Sequence, residues 1–462
     1  MLFAAHAPPV SLEGVGGHAV NVLDASGWAA DSGPVDLPAD DLAGHCLDWL
    51  AERDETELPV VLFSGGDSAD ACGHVLACNP RIIVTAEAGR LQVSDHDGGL
   101  IEHAPLAEVL DVLRRHTGSE GRWIGYFGYD LAWVFEYGLP RYLPPSSTLP
   151  DLWLAWYDDP RTIDIAPVGS GGGRAPEDHS GDAGALVMKD PAFHREEYEA
   201  AVDRIREHCL RGDLFQADLS RRIELEVEGT AMELFGRLMH KSPAPFMAYL
   251  GLGGGRAVVS SSPEEFLRVR GSAVRTRPIK GTRPRGRDPA KDAALCDELL
   301  ASEKDLAELT MIVDLMRNDL GRVARPGSVE VGDFPSLMTL PYVHHLYATI
   351  EAELNEGYDV WDLLAASFPP GSISGAPKPK AIEILELVER SRRGVYTGAI
   401  GWIGADGDAH LNVAIRTAEW DNGRLRFGVG GGITALSDAS LEFEETLDKA
   451  RGLAAALGVS RR

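Results

Sequence analysis

The sequence has no apolar run approaching the roughly 20 residues that span a bilayer as a helix; the longest, such as Pro59 to Phe63, are short. Cysteine is scarce, and Cys46, Cys72, Cys78, Cys209 and Cys296 are scattered without CxxC or metal-ligand spacing. That reads as reduced thiols rather than a disulfide framework or a zinc site. Basic residues are few: Lys plus Arg number 44 against 71 Asp plus Glu, a formal net charge of −27. Such a field repels phosphate backbones and acidic membrane surfaces, so neither nucleic acid nor membrane is an expected partner. The first residues carry no basic n-region and are broken by His6, Pro8 and Pro9. No secretory signal is readable there, and a cytoplasmic location is expected.

What is present is ordinary folded composition, 44% hydrophobic and 25% charged over 462 residues, enough for two to four units or one large intertwined one. The clearest break is Pro167 to Gly184, PVGSGGGRAPEDHSGDAG, where Gly, Ser, Pro and acids replace every apolar period. It predicts an N-terminal subdomain over 1–165, a linker or loop over 166–186 and a second domain over 187–462. Pro191 is expected to open a helix that Gly212 ends. Strand candidates follow in succession: LFQADLS, RIELEVE, FMAYLGL, AVVSSS, FLRVRG and AVRTRPI. Helices return over 288–321 and 360–390, then TGAIGWIG, HLNVAIRTAEW and LRFGVGGGI lead to a last helix near 440–457. Consecutive hairpins with separate runs of helix predict an α+β fold with antiparallel sheets.

One 20-residue window, containing no acid, holds Arg268, Arg270, Arg275, Arg277, Lys280, Arg283, Arg285 and Arg287. RVR and RTR alternating about Gly271 and Ser272 predict a hairpin with a solvated face. Lys280 lies between Pro278 and Gly281, which bend the chain and admit close backbone approach. It is either a solvated lysine or, with cationic neighbours and little water, a neutral nucleophile.

Acids recur at helical i, i+3 spacing as Asp305 with Glu308 and as Glu442 with Glu445. Two helices could each present a carboxylate to Mg²⁺, which takes one or two and keeps water and substrate oxygens; equally, Ser302 to Asp305 fits a helix cap and the later acids suit a helix N-terminus. Glu264, after Ser260-Ser261-Ser262-Pro263, could serve as a general acid or sit in a surface turn. His344 and His345 should diverge, one of them functional or merely a satisfied core residue. The triplet Gly430-Gly431-Gly432 and the loop Gly371 to Lys378, with Ser372, could offer backbone N–H groups to an anion or be tight connections.

Taken together, PIKGTRPRG (278–286), SPEEF (262–266), SEKDLAELTMIVDLMRNDLGRV (302–323), GSISGAPKPKAIEIL (371–385) and GGGITALSDASLEFEETLDKA (430–450) resemble the chorismate-binding enzyme family, in the family's order. Gly125 to Asp130, GYFGYD, is similar to its N-terminal GYxGYE-type segment. The resemblance implies a large, intertwined, two-subdomain antiparallel β-sandwich flanked by helices. Within the family, Lys280 resembles the aminodeoxychorismate synthase branch, whereas anthranilate synthases have alanine in PIxGT. Gln216 stands where water-using relatives carry an activating lysine.

By this resemblance Glu308 and Glu445 match magnesium ligands, with Asp305 and Glu442 as outer support. Arg416, Tyr396, Ser372, Thr282, Gln216 and the backbone at Gly430 and Gly432 match substrate contacts; His345 matches an active-site histidine and Glu264 the acid assisting departure of the hydroxyl. The implied reaction is attack of Lys280 on chorismate, then ammonia at C4, the ammonia coming from a separate glutamine amidotransferase subunit. An anthranilate synthase component or a catalytically silent chorismate-binding subunit are the rival readings. His344, Leu309 and Thr310 depart from the family's usual methionine, asparagine or histidine, and leucine.

Overall fold

A computed structural model describes residues 19–23, 35–36, 39–64, 74–135, 143, 149–158, 160–165, 188–189, 194–340 and 342–456. Among the described residues its frame is two antiparallel sheets of 12 strands each. In the first, strand Gln216–Glu226 pairs with Arg424–Ile433, which pairs with Thr417–Asp421, then Arg256–Ser262 and Phe246–Gly253. The second runs from Ile279–Pro284 through Val343–Glu353, Ala273–Arg277, Glu265–Arg270 and Ala409–Val413 to Ala399–Gly404.

The N-terminal strands extend both sheets. Val60–Phe63 pairs with Phe246–Gly253 in the first, and Arg122–Phe127 pairs with Ala399–Gly404 in the second. The hydrogen-bond ladders therefore run continuously between the two parts of the chain. The predicted linker over 166–186 lies outside the described residues, as does Pro191.

Side-chain alternation explains the layering. Leu425, Phe427, Val429 and Ile433 are the buried members of an alternating strand, one face toward the core. Leu152–Tyr157, LWLAWY, is buried at every position, as a strand covered on both faces must be. One core joins the sheets face to face through Val60, Ala248 and Val258 of the first and Ile124, Tyr126 and Ile400 of the second. Helices cover the outer faces. Phe235 and Leu238 of helix Ala231–Lys241 pack on the first sheet, and Ile312, Val313 and Met316 of helix Glu303–Gly321 on the second. This is the α+β fold that the hairpin succession predicted.

Several local expectations change. The first described helix after the predicted linker runs Arg195–Arg211 with His194 as its cap, and the expected start at Pro191 lies outside the described residues; Gly212 ends it in the left-handed region, φ 81°. LFQADLS and RIELEVE form one strand, since nothing between them turns the chain. HLNVAIRTAEW instead splits into Ala409–Val413 and Thr417–Asp421, with Arg416 left-handed at the break, φ 48°. The arginine hairpin does turn at Gly271, but its face is not uniformly solvated. Arg270 is exposed, whereas Arg275 pairs with buried Glu265 at 2.8 Å and Arg277 is buried, its guanidinium 4.4 Å from the centre of the Tyr347 ring.

Candidate active site

Two crossings between the sheets build the site. Ser262 ends a strand of the first sheet and Glu265 begins one of the second; Val413 and Thr417 make the reverse step. The crossings lie side by side, with Val413 N donating to Glu264 O at 3.0 Å and Ser261 N donating to Arg416 O at 3.0 Å. Glu264 and Arg416 thus stand at the seam between the sheets rather than on either face. A non-glycine residue held left-handed is costly, and such residues cluster where function requires the geometry; Arg416 and Thr397, φ 64°, are two of them.

Lys280 enters from strand Ile279–Pro284, whose register slips between Lys280 and Thr282. Gly281 at the slip has φ 72°, and a Cβ there would lie 2.9 Å from Leu299 Cδ1 and 3.1 Å from Asp305 Cβ. Lys280 Nζ reaches Asp218 Oδ1 at 3.2 Å, each side chain 13% exposed. The expectation of cationic neighbours fails. Burial works against the ammonium, but Asp218, Glu308 and Glu264 outweigh it and hold the lysine above its ordinary value. In this state Lys280 is charged.

Glu264 is almost completely buried and accepts from Ile279 N at 3.4 Å and from the Ser372 hydroxyl. Burial pushes its carboxyl up to about 7, with Ser372 and Lys280 pulling the other way. A proton is therefore available near neutral pH, as a general acid requires. Its neighbour Glu265 shows the opposite balance: burial is overridden by hydrogen bonds from His410 and Arg275, and its carboxyl falls to about 2. Adjacent carboxyls in one sequence motif are thus shifted in opposite directions.

His344 and His345 diverge as expected of a strand, and both are buried. His345 Nδ1 lies 3.1 Å from Thr282 Oγ1 and 3.2 Å from Gly281 O, while Nε2 lies 3.4 Å from Arg416. Burial and the Arg416 charge push its imidazole down to about 3, so it is neutral. Burial brings the Arg416 guanidinium down to about 10, and no carboxylate of the described residues pairs with it. A half-buried guanidinium in that condition suits an anionic ligand. His344 points away, 2.8 Å from Asp292 and 2.9 Å from Thr339.

Gln216 is fully buried, and a Cβ on Gly432 would collide with its amide; a Cβ on Gly428 would enter the Tyr396 ring. Gly430 lies against Leu219 O. These strand glycines therefore leave room for the two side chains. Asp130, the last residue of GYFGYD, accepts from Gly394 N at 3.0 Å, so the N-terminal segment braces the turn that carries Tyr396.

Glu308 is 16% exposed with Lys304 Nζ 3.9 Å away. Glu445 is 48% exposed and pairs with Lys449 at 2.7 Å. Burial raises the carboxyls of Glu308 and Glu442, while Lys449 holds Glu445 below its ordinary value against its own desolvation. Asp305 is tied to Arg283 at 3.3 Å. Among the described residues no group of three His, Cys, Asp or Glu side chains converges as a complete metal cage. The donor set still fits Mg²⁺, which needs only one or two carboxylates and completes its shell with water and substrate: Glu308 and Glu445 both feel the Lys280 and Lys304 charges, and a cation would relieve the raised Glu308.

Gln216, Asp218 and Lys280 thus form one hydrogen-bonded chain, Glu264 with its Ser372 partner feels the Lys280 charge, and Thr282, His345 and Arg416 form a second chain. Asp218, Lys304, Lys449 and Gly428 were missed from sequence. Asp218 had a signal, since it lies two residues beyond Gln216 and period-2 alternation puts both on one strand face.

A family profile described as chorismate binding enzyme matches residues 67–455. Anthranilate synthase component 1 of Streptomyces coelicolor is 35% identical over 449 residues, 87% of each chain. Aminodeoxychorismate synthase component 1 of Escherichia coli is 37% identical over 356 residues, covering 74% of this chain and 78% of that one. Among solved structures, anthranilate synthase component I of Streptococcus pneumoniae superposes with a TM-score of 0.68 at 29% identity, covering 83% of this chain and 92% of its own.

Proposed function

Because this chain belongs to the chorismate-binding enzyme family, we propose that it aminates chorismate at C4 to give 4-amino-4-deoxychorismate. The observation that carries this reading is Lys280 Nζ within a buried cluster that also holds a protonatable Glu264. A primary amine beside an acid poised near 7 suits two successive allylic displacements. Direct amination at C2 needs no amine there.

Arg416 and the glycine-lined edge at Gly430 and Gly432 bind the substrate carboxylates, with Tyr396, Ser372 and Thr282 around the ring. Glu308 and Glu445, with Asp305 and Glu442 supporting them, would hold Mg²⁺, whose charge would neutralise the ring carboxylate. Glu264 protonates the departing 4-hydroxyl while Lys280, once deprotonated, bonds to C2. Ammonia then adds at C4 and Lys280 leaves. His345, neutral, orients Arg416 through Nε2. Gln216 offers no base for water, which keeps hydrolysis from competing.

The relatives are components 1 of their synthases by name, in keeping with a separate glutamine amidotransferase subunit as the source of ammonia. Product identification tests the reading. Purified chain with chorismate, Mg²⁺ and ammonium should yield 4-amino-4-deoxychorismate by mass spectrometry, and Lys280→Ala should lose that product. The rival, an anthranilate synthase component, draws on the 87% coverage by the Streptomyces relative; direct appearance of fluorescent 2-aminobenzoate from the wild type would establish it instead.

A further inference from the structure

We propose that Asp218 is the base that takes a proton from the Lys280 ammonium and so releases Nζ to attack the ring. The inference rests on the reading of Lys280 as nucleophile. It answers a difficulty the site itself poses: a lysine held charged among carboxylates cannot act as a nucleophile until one proton leaves.

The geometry singles out one acceptor. Asp218 Oδ1 lies 3.2 Å from Nζ, and both side chains are largely shut off from water. The other oxygen is occupied, since Gln216 Nε2 donates to Oδ2 at 3.1 Å. Gln216 is itself fully buried, so the carboxylate cannot easily rotate away. The backbone is pinned as well: Asp218 N donates to Ser374 O at 3.1 Å, and Arg393 donates to Asp218 O. Glu264 and Glu308 also face the lysine electrostatically. Glu264 must hold its own proton for the leaving hydroxyl, and Glu308 belongs to the carboxylate pair on the two helices. Asp218 has neither duty.

Burial works against the ion pair, so once substrate encloses the site the proton can cross the 3.2 Å contact to Asp218 without leaving it. The balance closes. Asp218 accepts one proton, leaving a neutral amine. Nζ forms a bond to C2, both ring double bonds shift (C1=C2 to C1=C6 and C5=C6 to C4=C5), and the C4–O bond breaks with the Glu264 proton completing water. Ammonia bonds to C4, both double bonds shift back, and the C2–N bond breaks to regenerate the neutral amine. The new C4 ammonium gives its extra proton to Glu264, and Asp218 returns the borrowed proton to Lys280. The net change is chorismate plus ammonia to aminodeoxychorismate plus water.

Asp218→Asn keeps the shape and the contact with Gln216 but removes the base. With chorismate, Mg²⁺ and ammonium, C4 amination should fall about 100-fold or more at neutral pH, while chorismate affinity measured by calorimetry stays within a few-fold of wild type. Asp218→Ala should regain turnover on addition of formate, which a purely structural role would not permit. Asp218→Glu, folded by circular dichroism, should keep measurable turnover. Wild-type rates in Asp218→Asn, or equal losses of binding and turnover in Asp218→Ala without rescue by formate, would overturn the assignment. If wild type and variants alike give 2-aminobenzoate, the C4 reading itself fails and the role of Asp218 with it. Normal C4 product from the wild type with an indifferent Asp218 removes only the present inference.

Discussion

Lys378 Nζ lies 2.6 Å from Asp319 Oδ2, with both side chains almost entirely buried. The pair ties helix Lys378–Val388 to helix Glu303–Gly321, and Nζ also donates to Ser367 O at 2.7 Å at the end of helix Val360–Ser367. Three helices are thereby fixed around the loop that carries Ser372. Breaking a buried pair strands one charge and costs about 3–5 kcal/mol, whereas replacing both members with apolar groups of similar volume is often near neutral. Lys378→Met alone should lower the unfolding free energy by that amount in a urea titration, and Asp319→Leu with Lys378→Met should recover most of it. Equal losses in the single and double variants would show that the pair is not the source.

Glu264 gives a pH dependence of known sign. Its carboxyl is raised from 4.5 to about 7 in the fold, so between those values the folded chain holds a proton that the unfolded chain has released. Its contribution to stability is full below the unfolded value and is lost as pH rises through about 7. The loss is at most about 3 kcal/mol. Glu264→Gln should remove this decline, making the variant gain on wild type between about pH 4 and pH 8 in denaturant titrations. Turnover should drop by about 100-fold or more because no proton is delivered.

Much of this arrangement was legible in the sequence, and the part that was not has a physical reason. Hairpin succession gave the antiparallel sheets because side-chain alternation and turn glycines are local signals. Glu264, Lys280 and Ser372 could be singled out as residues of unusual segments, yet their convergence depends on two crossings between sheets, and pairing over such separations leaves no periodic trace. The charge state of Lys280 stayed open in the sequence for the same reason. Its sequence neighbours are arginines, but its neighbours in space are Asp218, Glu264 and Glu308, brought from another strand, a crossing between the sheets and a helix. Arg416 shows the converse: NVAIRTAEW reads as one strand, and only the left-handed turn at Arg416 divides it.

Gly281 should be the least replaceable residue beside the nucleophile. Its φ of 72° costs an L-residue roughly 1–2 kcal/mol. A Cβ there would also press on Leu299 and Asp305. Gly281→Ala should therefore move the register slip that presents Lys280, reducing turnover by more than the modest stability loss explains. Thermal unfolding and turnover of the same preparation separate the two effects. Gly271→Ala supplies the control: it has a similar φ of 56°, lies at an exposed hairpin turn with open space at its Cβ, and should cost stability alone.

Glu308 offers a test of the cation that does not depend on turnover. Burial raises its carboxyl and outweighs the charges of Lys280 and of Lys304, which is 60% exposed and 3.9 Å away. Glu308→Gln should therefore leave the metal-free chain as stable as wild type or slightly more so, because an uncomfortable charge has gone. A ligand that binds only the folded state stabilises by RT ln(1 + [L]/Kd), so Mg²⁺ should raise the melting temperature of the wild type and not of this variant. Glu445→Gln should weaken the shift while also freeing Lys449 from its 2.7 Å partner. A magnesium shift that survives both substitutions would place the ion elsewhere, and would leave Glu308 and Glu445 as carboxylates of two helices with no part in binding it.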